Sequence, residues 1–114
     1  VYKELYPHSL HLTHPIDDKE GEAGDHGNLG IIMKTRGDLD GAEELYRKSL
    51  EIEKQLGRLE GMASDYGNLG AVCQIRGDLD QAREFWTKSR DLFAQLGAHD
   101  MVDQVQALLD DLPG

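Results

Sequence analysis

Three kinds of residue in this 114-residue chain are spaced as if to do chemistry. His8, His11 and His14 recur every third position, a spacing that puts imidazoles on one side of a helix where they can share a metal ion. Pro7 and Pro15 bracket the run, however, and Pro15 stops any helix from continuing past His14, so metal binding is not expected. Cys73 is the only thiol. It stands among apolar residues at helical spacing (Leu69, Val72, Ile75) and reads as a core thiol, not a nucleophile; alone it supports neither a disulfide nor a structural zinc site. The third kind is Gly27-Asn28 with its copy Gly67-Asn68. A glycine inside a helix costs about 1 kcal/mol relative to alanine, and the asparagine beside it brings one acceptor and two donors. Such an amide suits hydrogen bonding to a peptide backbone.

No catalytic set accompanies these residues. There is no glycine-rich phosphate loop after a strand and no serine, histidine and aspartate grouping, so neither an enzyme nor a cofactor is expected. Most carboxylates follow helix starts or alternate with cations. Glu43, Glu44, Glu51 and Glu53 interleave with Arg47, Lys48 and Lys54 as on a solvated helix face, with i,i+4 pairs such as Glu44 and Lys48. The 22 Asp and Glu exceed the 12 Lys and Arg, giving a net charge of −10. A phosphate backbone or an anionic bilayer would be repelled by that excess, so no nucleic acid and no membrane partner is expected. Without a spanning apolar run or a secretory leader, the expected setting is cytoplasmic.

The elements that must carry these residues follow from an internal repeat. Residues 21–60 align without gaps to residues 61–100, with 19 identities in 40 positions. Gly27-Asn28-Leu29-Gly30 matches Gly67-Asn68-Leu69-Gly70, and Arg36-Gly37-Asp38-Leu39-Asp40 matches Arg76-Gly77-Asp78-Leu79-Asp80. One frame earlier, Leu5-Tyr6 and Ser9-Leu10 fall on Leu45-Tyr46 and Ser49-Leu50, so residues 1–20 read as a degenerate or truncated second helix of a preceding unit. Within each unit, Gly37 and Gly77 are helix stops followed by capping aspartates, and Gly57 and Gly97 are the second stops. The expected helices are 22–36, 39–56, 59–76 and 79–96. Residues 101–112 follow where the first half of a further unit would start, as a final helix whose Val102, Val105, Leu108, Leu109 and Leu112 form one apolar stripe, with Asp103, Gln104, Gln106, Asp110 and Asp111 on the remainder. That pattern suits a capping helix.

The repeat resembles the tetratricopeptide family in its 40-residue form, similar to the repeats of kinesin light chains and of G-protein-signalling modulators. Tyr66, Leu69-Gly70 and Cys73 match the first-helix pattern, and Ala82, Trp86 and Ser89 the second. The first unit departs at His26 and Met33 but keeps Leu29-Gly30, Ala42, Tyr46 and Ser49. The resemblance implies an all-α fold of antiparallel helix-turn-helix repeats stacked as a short right-handed superhelix. It implies too that Asn28 and Asn68 point into a concave groove lined by the first helices. Gly27 and Gly67 would leave room for a peptide, and Lys34 and Gln74 would complete the groove set. Lys34 alone, with Gln74 in its place in the second unit, does not make the carboxylate clamp of chaperone-binding members. Arg36 and Arg76 are candidate rim cations, although the helix dipole and a nearby aspartate account for them as well.

The function expected on these grounds is a non-enzymatic protein–protein interaction module that binds a peptide segment of a protein partner. Two alternatives stand beside it: a self-assembling unit whose homo-oligomer completes the array, and a sensor fragment of a larger regulatory protein. Aromatic residues Tyr46 and Trp86 are expected to fill the space between successive hairpins, with Gly30, Gly70, Ala42 and Ala82 at close helix approaches.

Overall fold

The computed structural model describes residues 26, 27, 30, 31 and 33–113, and all its regular elements are helical. His26, Gly27, Gly30, Ile31 and residues 33–35 are helical and precede four helices: α1 (Leu39–Leu56), α2 (Leu59–Arg76), α3 (Leu79–Gln95) and α4 (His99–Asp110). The expected second helix of a preceding unit, residues 1–20, and the histidine run within it lie outside the described residues, as does Asn28.

Punctuation works as the sequence implies. The carboxylate of Asp38 accepts the Gly41 N–H at 2.9 Å, and Asp78 accepts that of Gln81 at 3.2 Å, each satisfying a free donor in a first turn. At the other ends, Gly57 (φ 69°) and Gly77 (φ 85°) adopt the left-handed conformation that other residues reach only with strain. The Gly77 N–H then bonds the Gln74 carbonyl at 3.0 Å and the Asp78 N–H that of Cys73 at 2.9 Å, closing α2.

Each helix packs on the next along the chain, α1 on α2, α2 on α3 and α3 on α4. One apolar core runs through all of them, from Ala42, Tyr46 and Leu50 through Leu69, Val72 and Trp86 to Phe93, Val105 and Leu109. The tightest crossing is inside the hairpin of α2 and α3, where a Cβ on Gly70 would overlap the Trp86 indole. Trp86 is 1% exposed and its indole N–H donates to the Gly67 carbonyl at 2.9 Å. Tyr46 takes the corresponding place against Gly30, where a Cβ would lie 2.8 Å from the ring. These aromatics therefore fill the crossings within hairpins, not the spaces between them, because only glycine opposite lets a ring lie flat on the backbone.

The final helix begins at His99, two residues before the expected start, and ends at Asp110. Its start repeats that of α2 forty residues earlier: Gly57-Arg58 precedes Leu59 as Gly97-Ala98 precedes His99. Val105, Leu109 and Leu112 are buried against α3. Arg90 of α3 donates to Gln106 at 2.9 Å and Arg83 to the Pro113 carbonyl at 3.0 Å, holding the C-terminal half of the helix and the residues that follow it. Leu108 leaves the expected stripe. It lies on the flank of the packed face and is 40% exposed.

Candidate peptide-binding groove

The position of Leu108 follows from the repeat. It stands forty residues after Asn68, as Asn68 stands forty after Asn28, and it lines the same cavity as Asn68. Between these two helices runs an open cavity of about 450 Å³. Ser64, Gly67, Asn68 and Ala71 of α2 form one wall; Met101, Gln104 and Leu108 of α4 form the other; Ser89 and Phe93 of α3 make the floor. Ile31 closes it from the preceding helical residues. No charged side chain is among the described lining residues. Ile31 and Leu108, 45% and 40% exposed, are two of the four large apolar side chains left open to solvent among the described residues. A third, Leu96, lines the adjoining depression with Glu60, Phe93, Ala98 and Met101.

Asn68 is half-buried in this wall, and its side-chain amide has no hydrogen-bond partner among the described residues. Ser89, by contrast, is fully buried and donates to the Ala63 carbonyl at 2.8 Å. Gly67 has another property. Among the described residues, a Cβ there would meet only Ser89 Oγ, at 3.4 Å, an ordinary contact, and one on Gly27 would meet nothing within 4 Å. Packing against the described residues does not require Gly67, so they do not explain the helix stability of about 1 kcal/mol that it forgoes.

Gln74 is exposed and Lys34 half-buried, and neither lines the groove. Gln74 is six residues beyond Asn68, which turns it about 240° around a 3.6-residue helix, away from the wall. Arg36 is exposed in the turn after the preceding helical residues. Arg76 is no free rim cation: its guanidinium holds Asp40 and Glu43 of α1, and Arg47 holds Glu43 from the other side at 2.8 Å. Hydrogen bonds from Arg76 and then Arg47 keep the Glu43 carboxyl below the usual carboxylate range. Arg76 thus ties α2 to α1. Residues the sequence analysis missed are Ile31, Ala71, Met101, Gln104 and Leu108; carrying the Asn28 and Asn68 register one period further would have found Leu108.

Away from the groove, a polar seam joins α1 to α2. Ser49 donates to the Asp65 carboxylate at 2.7 Å, both residues being buried. Glu53, expected on the solvated face, is only 6% exposed, because its carboxylate turns over Gly61, where a Cβ would overlap it, and meets Arg58 at 3.3 Å. Burial pushes the Asp65 carboxyl up to about 6, the Ser49 hydrogen bond opposing and the Glu53 charge adding to the rise. The Tyr46 hydroxyl, fully buried nearby, has no hydrogen-bond partner among the described residues, and burial followed by the Asp65 charge raises it too. Burial likewise raises the Cys73 thiol, with the Asp78 and Glu43 charges adding to it, as suits an unreactive core residue.

A comparison with protein families matches residues 22–95 to the tetratricopeptide repeat. The chain belongs to the tetratricopeptide repeat family. Repeats of this family generally mediate protein–protein interaction, and the all-α stack of α1–α4 is their architecture. A comparison with curated proteins gave no match. Among the described residues, no group of three or more His, Cys, Asp or Glu is arranged to hold a metal, and no helix is long and apolar enough to cross a membrane.

Proposed function

We propose that this tetratricopeptide chain is a non-enzymatic binding module that holds a peptide segment of a partner protein in the groove between α2 and α4. The observation that carries this reading is the Asn68 amide, without a hydrogen-bond partner among the described residues, in a cavity that Ile31 and Leu108 also line and that no described charged residue lines. An amide that gives both donors and an acceptor can pair with the backbone of an extended peptide, and the apolar side chains beside it gain by covering one of the peptide's own. Gly67 supports the same reading, since its missing side chain widens the groove at a cost to the helix that packing does not require. Asn28, one period earlier, belongs to the proposal by its register alone. The net charge of −10 disfavours nucleic acid and anionic membrane as partners, and a cytoplasmic setting goes with the single buried thiol.

The test is capture of peptides from a displayed random library on the purified chain, followed by titration of those enriched. Asn68→Ala should weaken binding about fivefold to twentyfold, the equivalent of one to two backbone hydrogen bonds, with helical content and melting unchanged. Equal binding by the variant removes the groove assignment.

A further inference from the structure

The groove is not the same along its length. Part of it is apolar, lined by Ile31, Ala71 and Leu108 together with Asn68. Toward the first turns of α2 and α4 lie two further depressions that share Met101 with it. Glu60 lines one and Asp100 the other. These two carboxylates occupy the same first-turn position in the two helices, forty residues apart, and open on the same end of the groove. Both are exposed, and neither is in a salt bridge among the described residues. No lysine or arginine lines any of the three depressions among the described residues.

We infer that the groove selects a peptide with an apolar side chain and, four to five residues away, a lysine or arginine. The apolar side chain sits between Ile31, Ala71 and Leu108, and the cation reaches Glu60 and Asp100. The spacing comes from helix geometry. Eight residues separate Glu60 from Asn68, and eight separate Asp100 from Leu108. At about 1.5 Å per residue that is about 12 Å, and reaching Ala71 makes it about 16 Å. An extended peptide covers about 3.3 Å per residue, so the distance is about four to five residues. Charge complementarity decides the sign: a carboxylate on the ligand would meet two like charges and no cation, whereas a guanidinium or ammonium would meet two partners.

This inference rests on the groove reading, and the test separates the two. The displayed random library is selected on the full chain and in parallel on E60Q/D100N and on E60K/D100K, each first checked for unchanged helical content. On the unaltered chain, enriched peptides should carry Lys or Arg four to five residues from an apolar residue. Their affinity should fall about threefold to tenfold in E60Q/D100N, as for exposed charge pairs, and weaken with added salt. The E60K/D100K chain should enrich Asp or Glu at the same spacing. Peptides that depend on Asn68 and Leu108 but show no basic preference, or bind E60Q/D100N equally well, overturn the inference and leave the groove intact. Absence of any peptide sensitive to Asn68→Ala overturns both.

Discussion

Between α1 and α2 the contact runs through Ser49, Glu53, Gly61 and Asp65. Forty residues on, between α3 and α4, the same positions hold Ser89, Phe93, Met101 and Val105. The first seam buries two carboxylates and answers them with a serine hydroxyl, with Arg58 and with a glycine that makes room. In the second, those places are apolar, and Ser89 turns to the Ala63 carbonyl of its own hairpin because Val105 offers no acceptor. One repeat thus supports two kinds of junction. The difference bears on function: Phe93 and Met101 form the groove's floor and wall, whereas Glu53 at the position of Phe93 closes over Gly61 and leaves no apolar floor. Divergence between near-identical repeats has put an apolar cleft at one junction only among those described.

The comparison breaks most visibly at Val105→Asp. This variant copies Asp65 into the apolar seam without Glu53, Gly61 or Arg58 around it, leaving a buried carboxylate with no cation. A loss of about 4 kcal/mol is expected, enough to undock α4, and chemical denaturation followed by circular dichroism should show it. Ser49→Ala should cost about 2 kcal/mol in the same assay, because it strips the donor from a buried charged acceptor.

Asp65→Asn goes the other way. In the fold Asp65 keeps its proton up to about pH 6, while its ordinary value is 3.8. The folded chain therefore binds more protons in that interval, and the stability it contributes is full below the lower value and is lost as pH rises through the upper one. Replacing it by the neutral amide should stabilise the chain by about 1–2 kcal/mol near pH 7.5, with the gain shrinking toward pH 4. Thermal melts of both proteins across that range check the sign. Smallest is Gly67→Ala, over the groove floor. It should raise stability by about 0.5–1 kcal/mol while weakening peptide binding, a separation that melting and titration together would register.

Much of this was legible in the sequence where the cause is local. Repeated glycine stops placed α1 and α2 at their observed bounds, reinforced by the Asp38 cap at the start of α1, whereas α2 starts after Arg58 without a side-chain cap. Gly70 was legible as a site of close approach, but not Trp86 as the side chain that lies against it within the hairpin. Glu53 was not legible as buried, because its neighbours Glu51 and Lys54 are solvated and only Gly61, eight residues on and in the next helix, provides the space. For Arg76 a structural role beside an aspartate was legible, but not its partners, because Asp40 and Glu43 lie on a helix thirty-odd residues earlier. One wall of the cavity was legible in Asn68 and Gly67; α4 was legible as standing where a further first helix would start, but not that it lines the cavity opposite α2.

The most direct test of the groove is a nuclear magnetic resonance titration of the isotope-labelled chain with a library-selected peptide, following the Asn68 side-chain amide and the methyls of Ile31 and Leu108. All three should shift together at the same peptide concentrations, and the resonances of Arg47 and Lys48 on the outer face of α1 should stay still. Shifts confined to α1, with Asn68, Ile31 and Leu108 unmoved at saturation, would contradict the account.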